Sequence, residues 1–506
     1  MKKYIFTLIL ALFVGMGATW AQDYDFSAVC STGQTLYYKI IDEDARKVKL
    51  TCPDDYTIWD EFQKPVGDIV LPEMVANDGI TYTVTEIGDY AFEECDGLTG
   101  SLNIPNTVIS IGECAFELCR GFTGSLNIGN SVTTIGEHAF SACSGFSGSL
   151  NIGNSVTIIG DGAFSDCYGF TGSLNIGNSV IEIGNCAFQG CSGFNGMLNI
   201  GNSVTTIGVW AFGSCRGFVG SLIIPNSVSS IGSSAFDGCC GFIGPLRIGN
   251  SVSSIGELAF SECSGFTTLI MCNSVAEIGY DAFYHCRGIA SIISMTSTPP
   301  ASYSDGLFFG VFIHLNDSIP VYVPCGSSEA YSQAEAWNYF SNFHEFNPYD
   351  IALFSSDETM GSVAITQLPD CETGICKVKA TPFSGYQFDY WMENGAQVST
   401  EAEYSFEATA DRTLTAYFST PQNVNSFAEP EVQLFPNPTN DVLNVVCDGM
   451  RHVTIMNTLG QVVYDAEPAD DQSAQVILSC FDAGVYIVRI TTDNGMISES
   501  VVKAEF

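Results

Sequence analysis

A nine-residue motif, Ile-Gly-x-x-Ala-Phe-x-x-Cys, recurs nine times in this chain at an almost constant spacing. Successive copies begin 24 residues apart, except that the last follows after 23. A unit of this length cannot bury an apolar face alone, so such units stack along one axis and share a continuous core. The sequence therefore predicts a solenoid. The copies begin at Ile87, Ile111, Ile135, Ile159, Ile183, Ile207, Ile231, Ile255 and Ile278.

Two parts of each repeat show different periodicities. Leu126 and Ile128 alternate with polar residues, which is typical of a strand with one buried face. The motif then places Ala139, Phe140 and Cys143 on one side of a helical turn. We therefore predict one strand and one short helix per coil, which gives an α/β solenoid of about nine 24-residue repeats with a cap at each end.

The motif residues resemble the leucine-rich repeats of BspA-type bacterial proteins. The resemblance rests on Ile135-Gly136, Ala139-Phe140, Cys143 and their eight counterparts, and on proline-bearing turns such as Ile104-Pro105-Asn106. It covers roughly residues 22–345. Family members are mostly exported or surface proteins, so the resemblance implies adhesion or recognition outside the cell.

A second resemblance follows the repeats, where Ala380-Thr381-Pro382, Gly385-Tyr386 and Trp391 are similar to the divergent internalin-B-type B-repeat. It implies a small β-grasp-like module in which Trp391 packs in the core, an interpretation that we favour over a sugar-stacking platform.

Taken as a whole, the sequence predicts a signal peptide, a capped solenoid and two small all-β modules that are joined by a linker. The predicted boundaries are 1–21 signal peptide, 22–85 N-terminal cap, 86–291 repeats, 292–345 C-terminal cap, 350–418 B-repeat-like module, 419–431 linker and 432–506 sorting domain.

Both ends of the chain carry export signals. Lys2 and Lys3 precede an apolar stretch, and small residues ending at Ala21 predict a cleavage site. The last 75 residues resemble the type A sorting domain of the type IX secretion system, which implies an Ig-like β-sandwich, the type IX machinery as a partner and a host of the Bacteroidetes type. We expect a chain without a transmembrane segment that is secreted or attached to the outer-membrane surface. The sorting-signal positions are Pro436, Asn437, Pro438, Gly460, Gln461, Gly484, Tyr486 and Lys503.

Nine of the 20 cysteines occupy the last position of the motif. A metal array is one interpretation, but we favour a ladder of buried thiols, because cysteine behaves as a small hydrophobe and no histidine accompanies the row. Disulfides are expected instead at three pairs within single modules of an exported chain: Cys30–Cys52, Cys371–Cys376 and Cys447–Cys480.

The composition narrows the possible functions. Seventeen basic residues oppose 56 acidic ones, for a net charge of −39, which excludes binding to the nucleic-acid backbone. The sequence contains no recognisable catalytic or nucleotide-binding motif. We therefore predict a non-enzymatic monomer without a cofactor, whose function is adhesion or recognition. A glycan-binding scaffold or nutrient-capture component is the alternative, and a hydrolase with an unrecognised site is the third hypothesis.

The residue between the buried strand positions points outward, onto the predicted concave face. It is asparagine in five coils, which offers hydrogen bonds to a protein or glycan ligand, although a solvated polar face is the favoured interpretation. A break in this regularity is the more specific candidate site. The candidate binding residues are Asn103, Asn127, Asn151, Asn175, Asn199, Met197, Ile223, Arg247 and Ile270.

Overall fold

The structure is a computed structural model that describes residues 24–54, 59, 63–302, 310–312, 314–357, 359–421, 432–439, 441–457, 462–468, 470–479, 481, 483–492 and 495–504. The predicted signal peptide and most of the predicted linker lie outside these residues. The chain divides into two compact units, residues 1–419 and 420–506.

The first unit begins with a small set of strands at the N-terminal end of the solenoid. Alternation of apolar and polar residues, as in Thr35–Asp42, buries one face of each longer strand. The strands are β1 (Phe26–Val29), β2 (Thr35–Asp42), β3 (Lys47–Thr51), β4 (Gly67–Asp68), β5 (Met74–Asn77) and β6 (Ile80–Ile87). Strands β1, β2, β3 and β6 continue directly into the sheet of the repeats, so the cap pairs with the first coil.

The repeats form a β-solenoid with two parallel strand ladders. The first ladder extends β6 through every odd-numbered strand from β9 to β25 in one sheet. The second ladder comprises β8, β10 and β12, then β14 and β16, then the even-numbered strands from β18 to β24, of which β20, β22 and β24 are longer. The strands are β7 (Leu98–Thr99), β8 (Leu102–Asn103), β9 (Ser110–Ile111), β10 (Leu126–Asn127), β11 (Thr134–Ile135), β12 (Leu150–Asn151), β13 (Ile158–Ile159), β14 (Leu174–Asn175), β15 (Glu182–Ile183), β16 (Leu198–Asn199), β17 (Thr206–Ile207), β18 (Leu222–Ile223), β19 (Ser230–Ile231), β20 (Gly244–Ile248), β21 (Ser254–Ile255), β22 (Phe266–Met271), β23 (Glu277–Ile278), β24 (Ser291–Ser294) and β25 (Ala301–Ser302).

The predicted helix in each repeat is not formed, so the predicted α/β class is wrong and the solenoid is nearly all β. In the motif of the third coil, His138 and Ala142 have left-handed φ values of 52° and 55°. Alternate amides bond to the next coil, for example Phe140 N–H to the carbonyl of Ala163 at 2.8 Å. An α-helix requires right-handed φ and ψ angles at every residue and hydrogen bonds from each N–H to the carbonyl four residues earlier. The motif meets neither condition.

The burial expected of the motif is confirmed even though its backbone is not helical. Ala139, Phe140 and Cys143 are fully buried. The phenylalanines of successive motifs stack, with ring centroids 5.1 Å apart between Phe116 and Phe140 and 5.4 Å apart between Phe140 and Phe164. Stacked units thus bury one continuous aromatic row that no single repeat could bury.

The cysteines of the motif form the buried thiol ladder that the sequence favoured over a metal array. Each thiol from Cys119 to Cys286 donates a hydrogen bond to the phenylalanine carbonyl of the preceding coil, as Cys143 does to Phe116 at 2.9 Å. Burial raises the pKa of Cys191 well above the ordinary thiol value. The ladder therefore holds protonated thiols that link coil to coil.

Alkylation of the native protein tests the thiol ladder. Cys240 is exposed, whereas Cys143 and Cys191 are buried. At about pH 8 we expect iodoacetamide to modify Cys240 rapidly and the ladder cysteines only after denaturation, because the reactive species is the thiolate. Peptide mass spectrometry measures both rates. Modification of Cys191 in the folded protein as fast as Cys240 would contradict the burial.

A C-terminal cap closes the solenoid and holds the only α-helix in the described part of the chain. Its elements are β26 (Val321–Pro324), α1 (Ser328–Gln333), a 3₁₀ turn (Trp337–Tyr339) and β27 (Phe343–Phe346), and β26 and β27 extend the second ladder. The aromatic row ends here, because the ring of Phe312 stacks on Phe283 and meets the buried Trp337 at 4.9 Å. The cap thus covers the last coil.

A small β module completes the first unit. Two sheets, β28-β34-β31-β32 and β29-β30-β33, share a core in which Trp391 is fully buried, as expected from the resemblance. The strands are β28 (Ile351–Ser355), β29 (Gly361–Gln367), β30 (Ile375–Pro382), β31 (Gln387–Glu393), β32 (Ala396–Ser399), β33 (Glu403–Glu407) and β34 (Arg412–Ser419).

The second unit consists of a three-stranded and a four-stranded sheet around one apolar core. Of the sorting-signal positions, Asn437 bonds to the last strand, accepting from Val502 N–H at 2.9 Å and donating to the carbonyl of Ser500 at 3.0 Å. Gly460 and Gln461 lie outside the described residues. The strands are β35 (Gln433–Phe435), β36 (Val442–Val446), β37 (Met450–Asn457), β38 (Val462–Ala466), β39 (Ser473–Ile477), β40 (Gly484–Thr492) and β41 (Gly495–Lys503).

Candidate recognition cleft

The five asparagines of the repeats lie on the outward side of the second ladder, which we call the asparagine face. Asn103, Asn127 and Asn151 are in register on three paired strands, and Asn175 and Asn199 are in register on the next two. The amide of Asn127 donates to Asn103 at 2.7 Å, and that of Asn151 donates to Asn127 at 2.6 Å. Asn199 donates in the same way to Asn175 at 2.7 Å. These bonds use part of each side chain to join neighbouring coils, so the row has a structural role in addition to any contact with a ligand.

The regularity breaks in the later coils, as the sequence predicted. Ile223, Arg247 and Ile270 occupy the asparagine position on β18, β20 and β22 and lie in register with one another. The row then continues beyond the motif copies through Ile293, Tyr322 and His344. Met197, by contrast, is half-buried, and its N–H donates to the hydroxyl of Ser173.

Sequence reasoning missed Ile293, Tyr322 and His344, because they follow the last motif copy or lie in the cap. The alternation in Val321-Tyr322-Val323 is a signal that could have placed Tyr322 on the same row. The row thus changes along its length from amides to apolar and aromatic side chains. We call this row the apolar row, although it also contains an arginine and a histidine. Its members are Ile223, Arg247, Ile270, Ile293, Tyr322 and His344.

The β module packs across the apolar row and is held there by two side-chain links. The guanidinium of Arg247 forms an ion pair with Asp350, whose side chain is only 12% exposed. A disulfide joins Cys325, just after β26, to Cys371 in the module. Arg247 therefore supports the docked module rather than remaining available to a ligand.

The space between the apolar row and the module is a cleft of about 870 Å³. Strands β28 and β29 line its second wall, with all of β29 contributing. Four large apolar side chains that line it are exposed: Ile223 at 38%, Ile243 at 61%, Phe354 at 40% and Phe383 at 46%. A concave space lined by exposed apolar groups is the expected form of a binding site.

The charge that lines the cleft is acidic. Backbone amides of Gly326 and Ser328 donate to Glu345 and lower the pKa of its carboxyl. The hydroxyl and amide of Thr373 lower the pKa of Asp370 to about 2. Both groups are therefore ionised at neutral pH, while the positive charge of Arg247 is balanced by Asp350. The cleft thus favours a neutral or basic occupant.

Two of the three predicted disulfides are wrong. Cys371 pairs with Cys325, whereas Cys376 is buried on β30, where desolvation raises the pKa of its thiol to about 12. Cys30 is a thiol that lies 3.1 Å from Gln34, and the Cys52 thiol donates to the carbonyl of Asp54.

The third predicted disulfide stays a prediction. Cys447 is a buried thiol in the second unit, and Cys480 lies outside the described residues.

Neither a metal centre nor a membrane span is found in the described part of the chain. Across the ranges that the structure describes, no group of three or more His, Cys, Asp or Glu side chains is arranged to hold a metal ion. Within the same residues, no helix has the length and apolarity needed to cross a membrane.

Substituting Arg247 tests how the module is held. Arg247→Ala leaves the carboxylate of Asp350 buried without its partner, and we expect docking of the module to weaken by about 3 kcal/mol. Lys379→Ala is the matched control, because its ion pair with Glu403 lies on the exposed surface of the same module, where solvent screens it. Hydrogen exchange of the β28 amides measures docking, and equal rates in the two variants would contradict the assignment.

Comparison with known families gives three matches. Residues 76–195 and 196–302 match the BspA type leucine rich repeat region, with six copies. Residues 76–302 are thus similar to BspA-type leucine-rich repeats. Residues 352–422 match the divergent InlB B-repeat domain, and residues 433–504 match the secretion system C-terminal sorting domain. The BspA-type repeats are thus part of a protein exported by type IX secretion to the cell surface or the medium.

Solved structures similar to this chain include other leucine-rich repeat proteins. One from Bacteroides ovatus is 21% identical, with 64% of this chain and 100% of that chain covered and a TM-score of 0.29. A leucine rich cell surface protein from Faecalibacterium prausnitzii is 20% identical, with 64% and 95% covered and a TM-score of 0.25. The pneumococcal vaccine antigen PcpA is 14% identical, with 64% and 97% covered and a TM-score of 0.27. No curated protein matches this chain.

Proposed function

We propose that this chain is a non-catalytic adhesion or recognition protein that binds a macromolecular ligand of a host, a matrix or a bacterial surface in the cleft between the apolar row and the β module. The observation that carries the proposal is the cluster of exposed apolar side chains that lines the cleft, including Ile223 and Phe354. Such groups are costly to leave in water and mark interaction sites. Export to the cell surface or medium gives the site access to such ligands.

Binding of the purified full chain to arrays of extracellular-matrix proteins, host surface proteins and glycans tests the proposal. Ile223→Asn is a sharp variant, because asparagine occupies the equivalent position in five coils and is compatible with the fold. We expect it to weaken binding tenfold or more, since burying an isoleucine contributes about 2 kcal/mol. The reciprocal Asn103→Ile, at the far end of the same face, is the control. Empty arrays, or equal binding by both variants, would remove the support for adhesion through the cleft.

A glycan-binding scaffold or nutrient-capture component is the alternative function, and the asparagine face favours it. The amides of Asn127 and Asn199 each have a second N–H besides the one used in the ladder bond, whereas that of Asn151 also donates to Ser149. Neighbouring amides repeat at about 4.8 Å along the parallel strands. This alternative predicts binding on the glycan array that is lost in Asn127→Ala and retained in Ile223→Asn. The two functions therefore respond oppositely to the two substitutions.

A further inference from the structure

Strand β29 lines the whole length of one cleft wall and lies at the edge of its sheet. Among the described strands it is hydrogen-bonded only to β30, on one side. In an antiparallel pair, alternate residues direct their N–H and C=O groups toward the neighbour, and the residues between direct theirs away from it. The free side of β29 therefore presents the backbone N–H and C=O groups of Val363 and Ile365 beside the cleft, while the carbonyl of Gly361 accepts from the Ser355 hydroxyl.

The two edges of the β29-β30-β33 sheet differ in how they are protected. The outer edge, β33, carries Glu403 and Glu407, and Glu403 is paired with Lys379 at 2.7 Å. Strand β29 has seven residues, Gly-Ser-Val-Ala-Ile-Thr-Gln, with neither a charge nor a proline. Charges and prolines are the usual devices that prevent strand pairing at an edge. The cleft edge lacks the protection that the outer edge has.

The side chains of β29 leave room for a partner. Ser362, Ala364 and Thr366 are small and exposed, while Val363 and Ile365 pack against the core of the module. The opposite wall supplies apolar groups from another element, including Ile223 and Ile270. An extended segment beside β29 would therefore meet backbone groups along its edge and apolar surface beneath alternate side chains.

We propose that the cleft binds an extended polypeptide from another protein by strand addition to β29, with apolar side chains directed toward the apolar row and Lys or Arg flanking them. The unpaired edge selects a polypeptide, because its repeating N–H and C=O groups match an open strand. The ionised Glu345 and Asp370 select the basic flanks. This inference rests on the proposed function and names the ligand class for the same cleft.

Selection of peptides on the full chain tests the inference. The probe is a phage-displayed library of random linear peptides of roughly nine residues, long enough to pair along β29. We expect the selected sequences to alternate apolar residues and to carry Lys or Arg at the ends. Ile223→Asn should weaken a selected synthetic peptide at least about tenfold, whereas Ile158→Asn, at an isoleucine that is 40% exposed on β13 of the first ladder, should leave its affinity unchanged.

N-methylation of the synthetic peptide separates strand addition from simple apolar docking. Methylating every second backbone amide should weaken binding at least about fivefold per site, and methylating the amides between should have little effect. Equal loss at all positions, or none, overturns the inference. A library without binders overturns it as well, while array binding that still depends on Ile223 leaves the proposed function standing. Array binding that does not depend on Ile223 would contradict both the strand-addition inference and the proposed function.

Discussion

Gly169→Ala is expected to disrupt the solenoid near its middle and to lower the free energy of unfolding by about 3 kcal/mol or more. A Cβ at Gly169 would lie 2.0 Å from the carbonyl oxygen of Phe146 in the preceding coil. The obstacle is backbone, so it cannot rotate away and the two coils must separate. The equivalent glycines, with 2.0 to 2.3 Å to the nearest carbonyl oxygen of the preceding coil, are Gly121, Gly145, Gly193, Gly217, Gly241, Gly265 and Gly288.

Gly177→Ala is the matched control for this prediction. A Cβ built at Gly177 meets nothing within 4 Å, so we expect a change within about 1 kcal/mol. Urea unfolding followed by circular dichroism measures both variants. Because repeats contact only their neighbours, Gly169→Ala should also separate unfolding into two transitions. Similar, single transitions for the two variants would show that the close approach of the coils is not required.

Raising the pH above about 9 is expected to unfold the solenoid steeply. Thiols of the unfolded chain ionise near pH 8.5 to 9. Desolvation raises the pKa of eight buried ladder thiols above that range, so the unfolded state loses protons that the folded state retains. The free energy of unfolding is therefore unaffected at neutral pH and falls as the pH rises. The eight are Cys95, Cys143, Cys167, Cys191, Cys215, Cys239, Cys263 and Cys286.

The size of the alkaline effect follows from the number of thiols. Each contributes about 1.4 kcal/mol per pH unit, and eight together give roughly 11 kcal/mol per pH unit, which is comparable to the whole stability of many proteins. Urea midpoints between about pH 8 and pH 10.5 measure the slope. The double variant Cys191→Ala/Cys215→Ala should show a slope shallower by about 3 kcal/mol per pH unit. Equal urea midpoints across that range would contradict the thiol ladder.

The sequence predicts the core of the repeats well, because burial follows from periodicity alone. Ala139, Phe140 and Cys143 are buried as expected. The backbone that carries them is not predictable in the same way. His138 and Ala142 have left-handed φ, yet neither residue type requires it, and the bonds that stabilise this conformation come from the next coil.

The candidate site can be predicted only in part from the sequence, because one of its two walls depends on tertiary contacts. The break at Ile223 and Ile270 is visible, since it departs from the asparagine row. The second wall is not, because β29 approaches the row only when the module docks. Arg247 meets Asp350 across 103 residues, and Cys325 meets Cys371 across 46. The ion pair and the disulfide form only in the tertiary structure, so the spacing of residues within one module does not predict them.

Hydrogen–deuterium exchange of the full chain, with and without the array component that it binds most tightly, tests most directly whether recognition takes place in the cleft. We expect slower exchange of amides in β20, β22 and β29, which line the cleft, with β10 and β12 of the asparagine face unchanged. Protection confined to β10 and β12, with none in β29, would contradict recognition in the cleft and place binding on the asparagine face.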